Sequence, residues 1–182
     1  MVSGTFGNLN VNRNDQHCMP VALTTAVNLS EMKTSNNPAE TLVAFSIGSG
    51  IGMTIYDPIS SVGGLLNFML PSSTTIESAR IKKYPFMFAD TGIPAFLSTL
   101  EVMGARTERM KVVIAGGARV LNQTGVFNVG RHNYQATRLI LSGYKLDIHY
   151  EDIGGFHSRT LKLNIGSGTS TIHYPDQRET KI

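Results

Sequence analysis

The spacing of apolar and polar positions changes several times along the chain. Residues 41–47, TLVAFSI, are an apolar run with β-branched and aromatic members, which predicts a buried strand. IGMTIY at 51–56 predicts a second strand. Asp57-Pro58 then opens a turn, because proline fixes φ and the aspartate side chain can bond the turn backbone. VGGLLNFML at 62–70 predicts a third strand that Pro71 ends. The two tight connections imply antiparallel neighbours in a meander. The period then lengthens. Within 87–105, Ile93, Phe96, Leu97, Leu100 and Met103 mark one helical face. Asp90 and Thr91 are its N-cap candidates, Pro94 is tolerable only in a first turn, and Gly104 suits the stop. MKVVIAGGA at 110–118 predicts a strand running into a glycine pair.

A second helix is predicted over 129–144, with Tyr134, Thr137, Leu139, Ile140 and Leu141 apolar or semi-apolar and Gly143 as stop. Alternation returns at 145–152, with Leu146, Ile148 and Tyr150 on one face. It continues at 159–165, with Leu161, Leu163 and Ile165 inward, and at 170–174 after a glycine turn, which makes a terminal strand pair. SEMKTSNNPAE within 26–40 reads as loop by its Ser, Asn and Pro content. Residues 1–25 are polar and asparagine-rich and read as an arm, 26–175 as the domain, and 176–182 as a solvated tail. Helices interleave with strands, but several strands are hairpin-linked. The expectation is α+β with mixed sheets rather than a doubly wound fold.

Composition narrows the function classes. With 182 residues and 41% apolar content, a folded domain is expected. The net charge of +3 is mild, and the densest basic group, Arg80, Lys82 and Lys83, reads as a solvated face, so nucleic acid is not an expected partner. The single cysteine, Cys18, excludes an intrachain disulfide and fits a reducing compartment. The first fifteen residues lack a basic and then apolar leader pattern, and no apolar stretch nears the roughly 20 residues of a bilayer span. A cytoplasmic location without membrane insertion is expected.

The chemistry-bearing residues are sparse. Gly48-Ser49-Gly50-Ile51-Gly52 follows a strand, but its G-x-G-x-G spacing leads into another strand, whereas dinucleotide binding needs G-x-G-x-x-G opening a helix. His17, His132, His149, His157 and His173 pair with no other ligand at metal spacing, so no metal and no cofactor is expected. His149 and His173 in predicted strands and His132 at a helix start each read more readily as a surface or hydrogen-bonded residue than as a base. Cys18 lies in the polar arm, and Ser49 is a conceivable nucleophile with no identified base. The glycine pairs 63–64, 116–117 and 154–155, with the turn at 48–52, suggest one rim shaped for a close guest; ordinary turns account for them equally well.

Five ordered blocks carry a resemblance. GSGIGMTIYDPISSVGGLLNFMLP, KYPFMFADTGIPAFLSTLEVMGA, IAGGARVLN, VGRHN and YEDIGGFHSRTLKLNIGSG together resemble the CheD family of chemotaxis proteins over roughly Ala26 to Tyr174. The resemblance implies a layered sandwich of mixed sheets with flanking helices, a cysteine-hydrolase fold. It implies a chemoreceptor glutamine deamidase, acting on glutamines of methyl-accepting receptors that are methylated once converted to glutamates. The implied partners are the receptors' cytoplasmic helices and CheC-type phosphatases. The implied machinery is a cysteine nucleophile, a histidine base and an orienting threonine.

Here those three positions hold Gly50, Asn67 and Ala44, and a family lysine falls on Val113. Glycine offers no nucleophile, asparagine does not titrate near neutrality, and alanine orients nothing. The expectation is therefore a binding protein without catalysis, whose cleft is bordered by Ser49, Gly50, Asn67 and Phe68. Three other readings stand beside it. Deamidase activity could persist through Cys18 or Ser49, Ser49 could run another hydrolysis, or the chain could stabilise an active relative as a subunit.

Overall fold

In the computed structural model, residues 22–74, 76, 78–119 and 128–182 are described. Most of the arm, with His17 and Cys18, lies outside them. The architecture is α+β in three layers. The first sheet is ordered β1 (Leu23–Ala26), β3 (Glu40–Ile47), β8 (Arg159–Asn164), β9 (Ser170–His173), β10 (Glu179–Lys181). The second is ordered β2 (Glu31–Ser35), β5 (Val62–Phe68), β4 (Ile51–Asp57), β6 (Lys111–Gly116), β7 (Ile148–Ile153). Both sheets are mixed: β1 runs parallel to β3 and β7 parallel to β6, while the remaining ladders are antiparallel.

Two cores separate the layers. Leu42, Ala44, Leu65, Val113, Leu161 and Leu163 fill the space between the sheets. After the short α1 (Ser78–Lys83), Met53, Leu66, Phe68, Phe96, Leu100 and Leu141 join the outer face of the second sheet to α2 (Ala89–Val102) and α3 (Val129–Gly143). The second sheet is thus covered on both faces, and every residue of β4 and β5 is buried. That explains their unbroken apolar runs. The first sheet has one solvated face, and β8 alternates accordingly.

Several sequence expectations are corrected. The run 41–47 and the strand after it are not a hairpin, because β3 and β4 belong to different sheets. The glycine turn between them is a corner that carries the chain from one sheet to the other. A register shift lies between Ala44 and Ile47, where Ser46 takes a φ of 52°. Gly52 then lets β4 fold against β3, since a Cβ there would collide with the Ile47 side chain. Of the expected meander only the β4–β5 hairpin forms, while the expected terminal pair is present as antiparallel β8 and β9. The segment read as loop contains β2, and β1 and β10 lie where the sequence reads as arm and tail. Their polar sequences suit sheet-edge strands, which composition does not separate from loop.

The helices differ in detail. The N-cap of α2 is Phe88, so Pro94 falls in the second turn and Asp90 in the first. Gly104 ends α2 as expected, with its amide on the Glu101 carbonyl and the Ala105 amide on that of Leu100. In α3, Gly143 is helical and the left-handed stop is Lys145, at φ 56°. The buried face of α3 is Gly130, Asn133, Thr137 and Leu141, whereas Leu139 is 76% exposed. No described helix is long and apolar enough to cross a membrane.

Candidate functional site

Three of the four glycine-rich spots meet at one end of the sandwich. The Gly117 amide donates to the Gly50 carbonyl at 2.8 Å, and that of Ala118 to Gly48 at 2.9 Å. Gly154 donates to Gly116, and Arg119 to Gly155, each at 2.9 Å. The pair Gly63-Gly64 does not join them. It packs at the far end of β5, against Tyr56, Leu163 and Phe96.

Beside the corner lies a cleft of about 670 Å³. Its described lining is Val27 to Leu29, Phe45 to Gly50, Asn67, Met69, Leu70 and Val129, with no charged side chain among them. Leu29 and Phe45 are exposed at 54% and 60%. Of the residues the sequence singles out, Ser49, Gly50 and Asn67 border this cleft. Phe68 does not, because its side chain points to the opposite face of β5 and is fully buried in the helix-side core. Ala44 sits behind the cleft, fully buried between the sheets opposite Leu161. Val113 is likewise buried in the inter-sheet core. Met53, Leu65 and Leu66 belong to the two cores and are not part of the lining.

The Gly50 position has no room for a side chain. A Cβ there would lie 2.5 Å from the Phe68 carbonyl oxygen, a backbone atom held in the β4–β5 ladder. Asn67 is 4% exposed. Its Nδ2 reaches the Val27 carbonyl at 3.5 Å, and its Oδ1 is buried without a partner among the described residues. The described histidines stand elsewhere. His132, His149 and His157 are exposed, and His173 faces Glu179 at 3.5 Å on the β9–β10 edge. Ser49 therefore has no imidazole in the described cleft lining to act as its base.

One residue that builds the site is not among those the sequence singles out. Asn133 is fully buried, and its Nδ2 donates to the Ser49 carbonyl at 2.9 Å and to the Met69 carbonyl at 2.7 Å. This amide clamps the corner to the chain leaving β5, so the two walls of the cleft hold a fixed separation. The signal that could have found it is the period of α3, since positions 130, 133, 137 and 141 recur at helical spacing with asparagine among them. Replacing Asn133 with alanine orphans two carbonyls and is expected to cost about 2 kcal/mol, read as a fall in thermal midpoint. Asn133→Asp should cost at least as much, because a carboxylate would oppose two carbonyl oxygens. An unshifted midpoint in both variants would refute the clamp.

Residues 69–174 match the family model described as CheD chemotactic sensory transduction. A protein of Solibacter usitatus named probable chemoreceptor glutamine deamidase CheD is 41% identical, over 78% of this chain and 83% of its own length. A Syntrophus aciditrophicus protein named probable chemoreceptor glutamine deamidase CheD 1 is 39% identical, over 78% of this chain and 88% of its own. A Haloarcula marismortui protein with the same name as the first is 36% identical, over 80% of this chain and 82% of its own.

Proposed function

Because the chain belongs to the CheD family of chemotactic sensory transduction proteins, we propose that it binds the cytoplasmic helices of a chemoreceptor without deamidating them. The observation that carries this reading is Gly50. The resemblance puts the family's nucleophile at this position, which here carries no side chain, and the Phe68 carbonyl oxygen lies 2.5 Å from where a Cβ would be. The base and orienting positions hold Asn67 and Ala44, so no member of the machinery remains to assist another. The frame around the lost chemistry supports binding. An uncharged cleft with Leu29 and Phe45 exposed at its mouth suits the apolar face of an amphipathic helix.

The test is a calorimetric titration with a soluble chemoreceptor cytoplasmic fragment. The natural chain is expected to bind it, and a Leu29→Asp, Phe45→Asp variant to bind at least about tenfold more weakly, since each charge would have to be desolvated in the contact. Both residues are exposed, so the variant should keep its thermal midpoint. Absence of binding by the natural chain, or full binding by the double variant, would overturn the proposal.

A further inference from the structure

Among the described residues the two sheets end on four edge strands, and three of these carry devices against pairing with another strand. β2 holds Glu31 and Lys33, whose charged groups pair at 2.9 Å. β7 takes His149 as an extra residue in its ladder, since Val112 and Val113 align with Ile148 and Tyr150, and it carries the exposed Glu151. β10 holds Glu179 and Lys181, paired at 3.2 Å. The fourth edge, β1, has none of these. It reads Leu23-Thr24-Thr25-Ala26, without charge, proline or register shift, and three of its four residues are exposed. A regular, uncharged and exposed edge is a template for a further strand.

We propose that β1 is a dimerisation edge: it pairs antiparallel with β1 of a second copy of this chain, about a two-fold axis at Thr25, and joins the two first sheets into one. A two-fold axis brings side chains near their own copies, so an edge without charge suits self-pairing. The register follows from the backbone. Leu23 and Val27 donate their amides to the Ala39 and Val43 carbonyls at 2.9 and 2.7 Å. Successive residues of a strand turn their backbone groups to opposite edges, so Thr24 and Ala26 turn theirs outward. Setting Thr24 opposite the partner's Ala26 matches outward groups with outward groups, and each such pair exchanges both of its N–H···O bonds.

The side chains choose the same register. Residues 23, 25 and 27 lie on the inter-sheet side, where Val27 and Leu42 are core and Thr25 aligns with Leu42. With the axis at Thr25, Leu23 meets the partner's Val27, and Thr25 meets the partner's Thr25. Apolar and threonine pairs of this kind stabilise antiparallel ladders. The neighbouring register, with Thr24 opposite itself, would set Leu23 against the partner's Thr25 and lose the apolar match. Leu23 is 49% exposed in the single chain, and the pairing covers it. Val27 also lines the cleft, so the pairing ties one wall of each cleft to the other copy.

Sedimentation of the full chain across about 1–500 μM tests the pairing, a range that spans the weak association expected of so short a ladder. The 19.8 kDa chain should pass into a species of twice that mass. Thr24→Pro removes an outward amide while the bonds to β3 stay. It should keep the thermal midpoint and weaken the dimer at least about tenfold. In a Cys18→Ala background, Thr25→Cys should give a disulfide-linked dimer on mild oxidation, because facing residues of a non-hydrogen-bonded pair lie about 4.5 Å apart at Cα. Thr24→Cys, which faces the partner's Ala26, should not. A monomer at every concentration, or a dimer that Thr24→Pro leaves unchanged, would overturn the proposal. If that monomer also lost thermal stability on Thr24→Pro, another segment of the same chain would hold the edge. Crosslinking through Thr24→Cys and not through Thr25→Cys would overturn the axis at Thr25.

Discussion

Incubated with a chemoreceptor cytoplasmic fragment, the natural chain should leave every receptor glutamine unconverted, with a rate at least about 10⁴-fold below that of a relative holding the complete machinery. Loss of a single triad member already removes most of the rate in such enzymes, and the family resemblance places all three members at positions that here hold Gly50, Asn67 and Ala44. The geometry adds a second reason. A nucleophile must stand free at the corner, yet a Cβ at residue 50 would meet the Phe68 carbonyl oxygen at 2.5 Å. A side chain at residue 50 would require the Phe68 carbonyl to shift.

The informative comparison is a variant with all three family residues restored, Ala44→Thr, Gly50→Cys and Asn67→His. It is expected to deamidate measurably but far below a family enzyme, because the corner must first move. The same movement predicts that Gly50→Ala alone destabilises the fold by about 1–3 kcal/mol, the usual cost of overpacking. Mass spectrometry of each receptor glutamine reads the chemistry, and thermal denaturation reads the strain. Conversion by the natural chain would sink the binding-only reading, and Cys18→Ala and Ser49→Ala would then identify the nucleophile. An active variant with an undisturbed midpoint would show that the corner adapts freely.

How much of this was legible in the sequence follows from the range of the interactions concerned. The β4–β5 hairpin, the apolar strands of the second sheet and the Gly104 stop are fixed by neighbouring residues, and local patterning finds them. The sheet switch at the glycine corner is not local. Whether Ile47 and Ile51 face one another across a hairpin or part into two sheets depends on Leu161 and Phe68, which pair with Ala44 and Ile51. The inward face of α3 misled for a related reason. Apolarity favours Leu139, but the carbonyls of Ser49 and Met69 require an amide, so Asn133 is inside and Leu139 is outside. The family resemblance located Gly50 and Asn67 at one site. It could not foresee that Phe68 turns away, since the strand alternation places neighbouring residues on opposite faces.

The fold's other strong requirement lies at the far end of β4, about 20 Å from the corner by strand length. Asp57 is fully buried there. Its carboxylate accepts from the Arg109 Nε at 3.0 and 3.1 Å and from the Ile59 and Arg106 amides at 2.9 and 3.0 Å. Burial alone would raise its pKa, but the Arg109 bonds and the two amides outweigh it and hold the group well below the usual carboxylate range. The pair ties the turn after β4 to the connection before β6, residues 49 to 52 positions apart in sequence.

Removing Arg109 leaves a buried charge without its counter-ion. Arg109→Ala is therefore expected to cost about 3 kcal/mol or more, and Asp57→Ala less, because the guanidinium it leaves is partly exposed to water. The sign of the pH dependence follows from the depressed native pKa. The stabilisation is complete above the unfolded value of about 3.9 and is lost as pH falls below it. The natural chain should lose thermal stability steeply below about pH 4, and Asp57→Asn should start lower at neutral pH and lose less on acidification. Because the pair is remote from the cleft, a folded Asp57→Asn sample should bind the receptor fragment as tightly as the natural chain. Parallel acid limbs in the two proteins would show that another carboxylate governs acid stability, and weakened binding in the folded variant would show that the two ends of β4 are coupled.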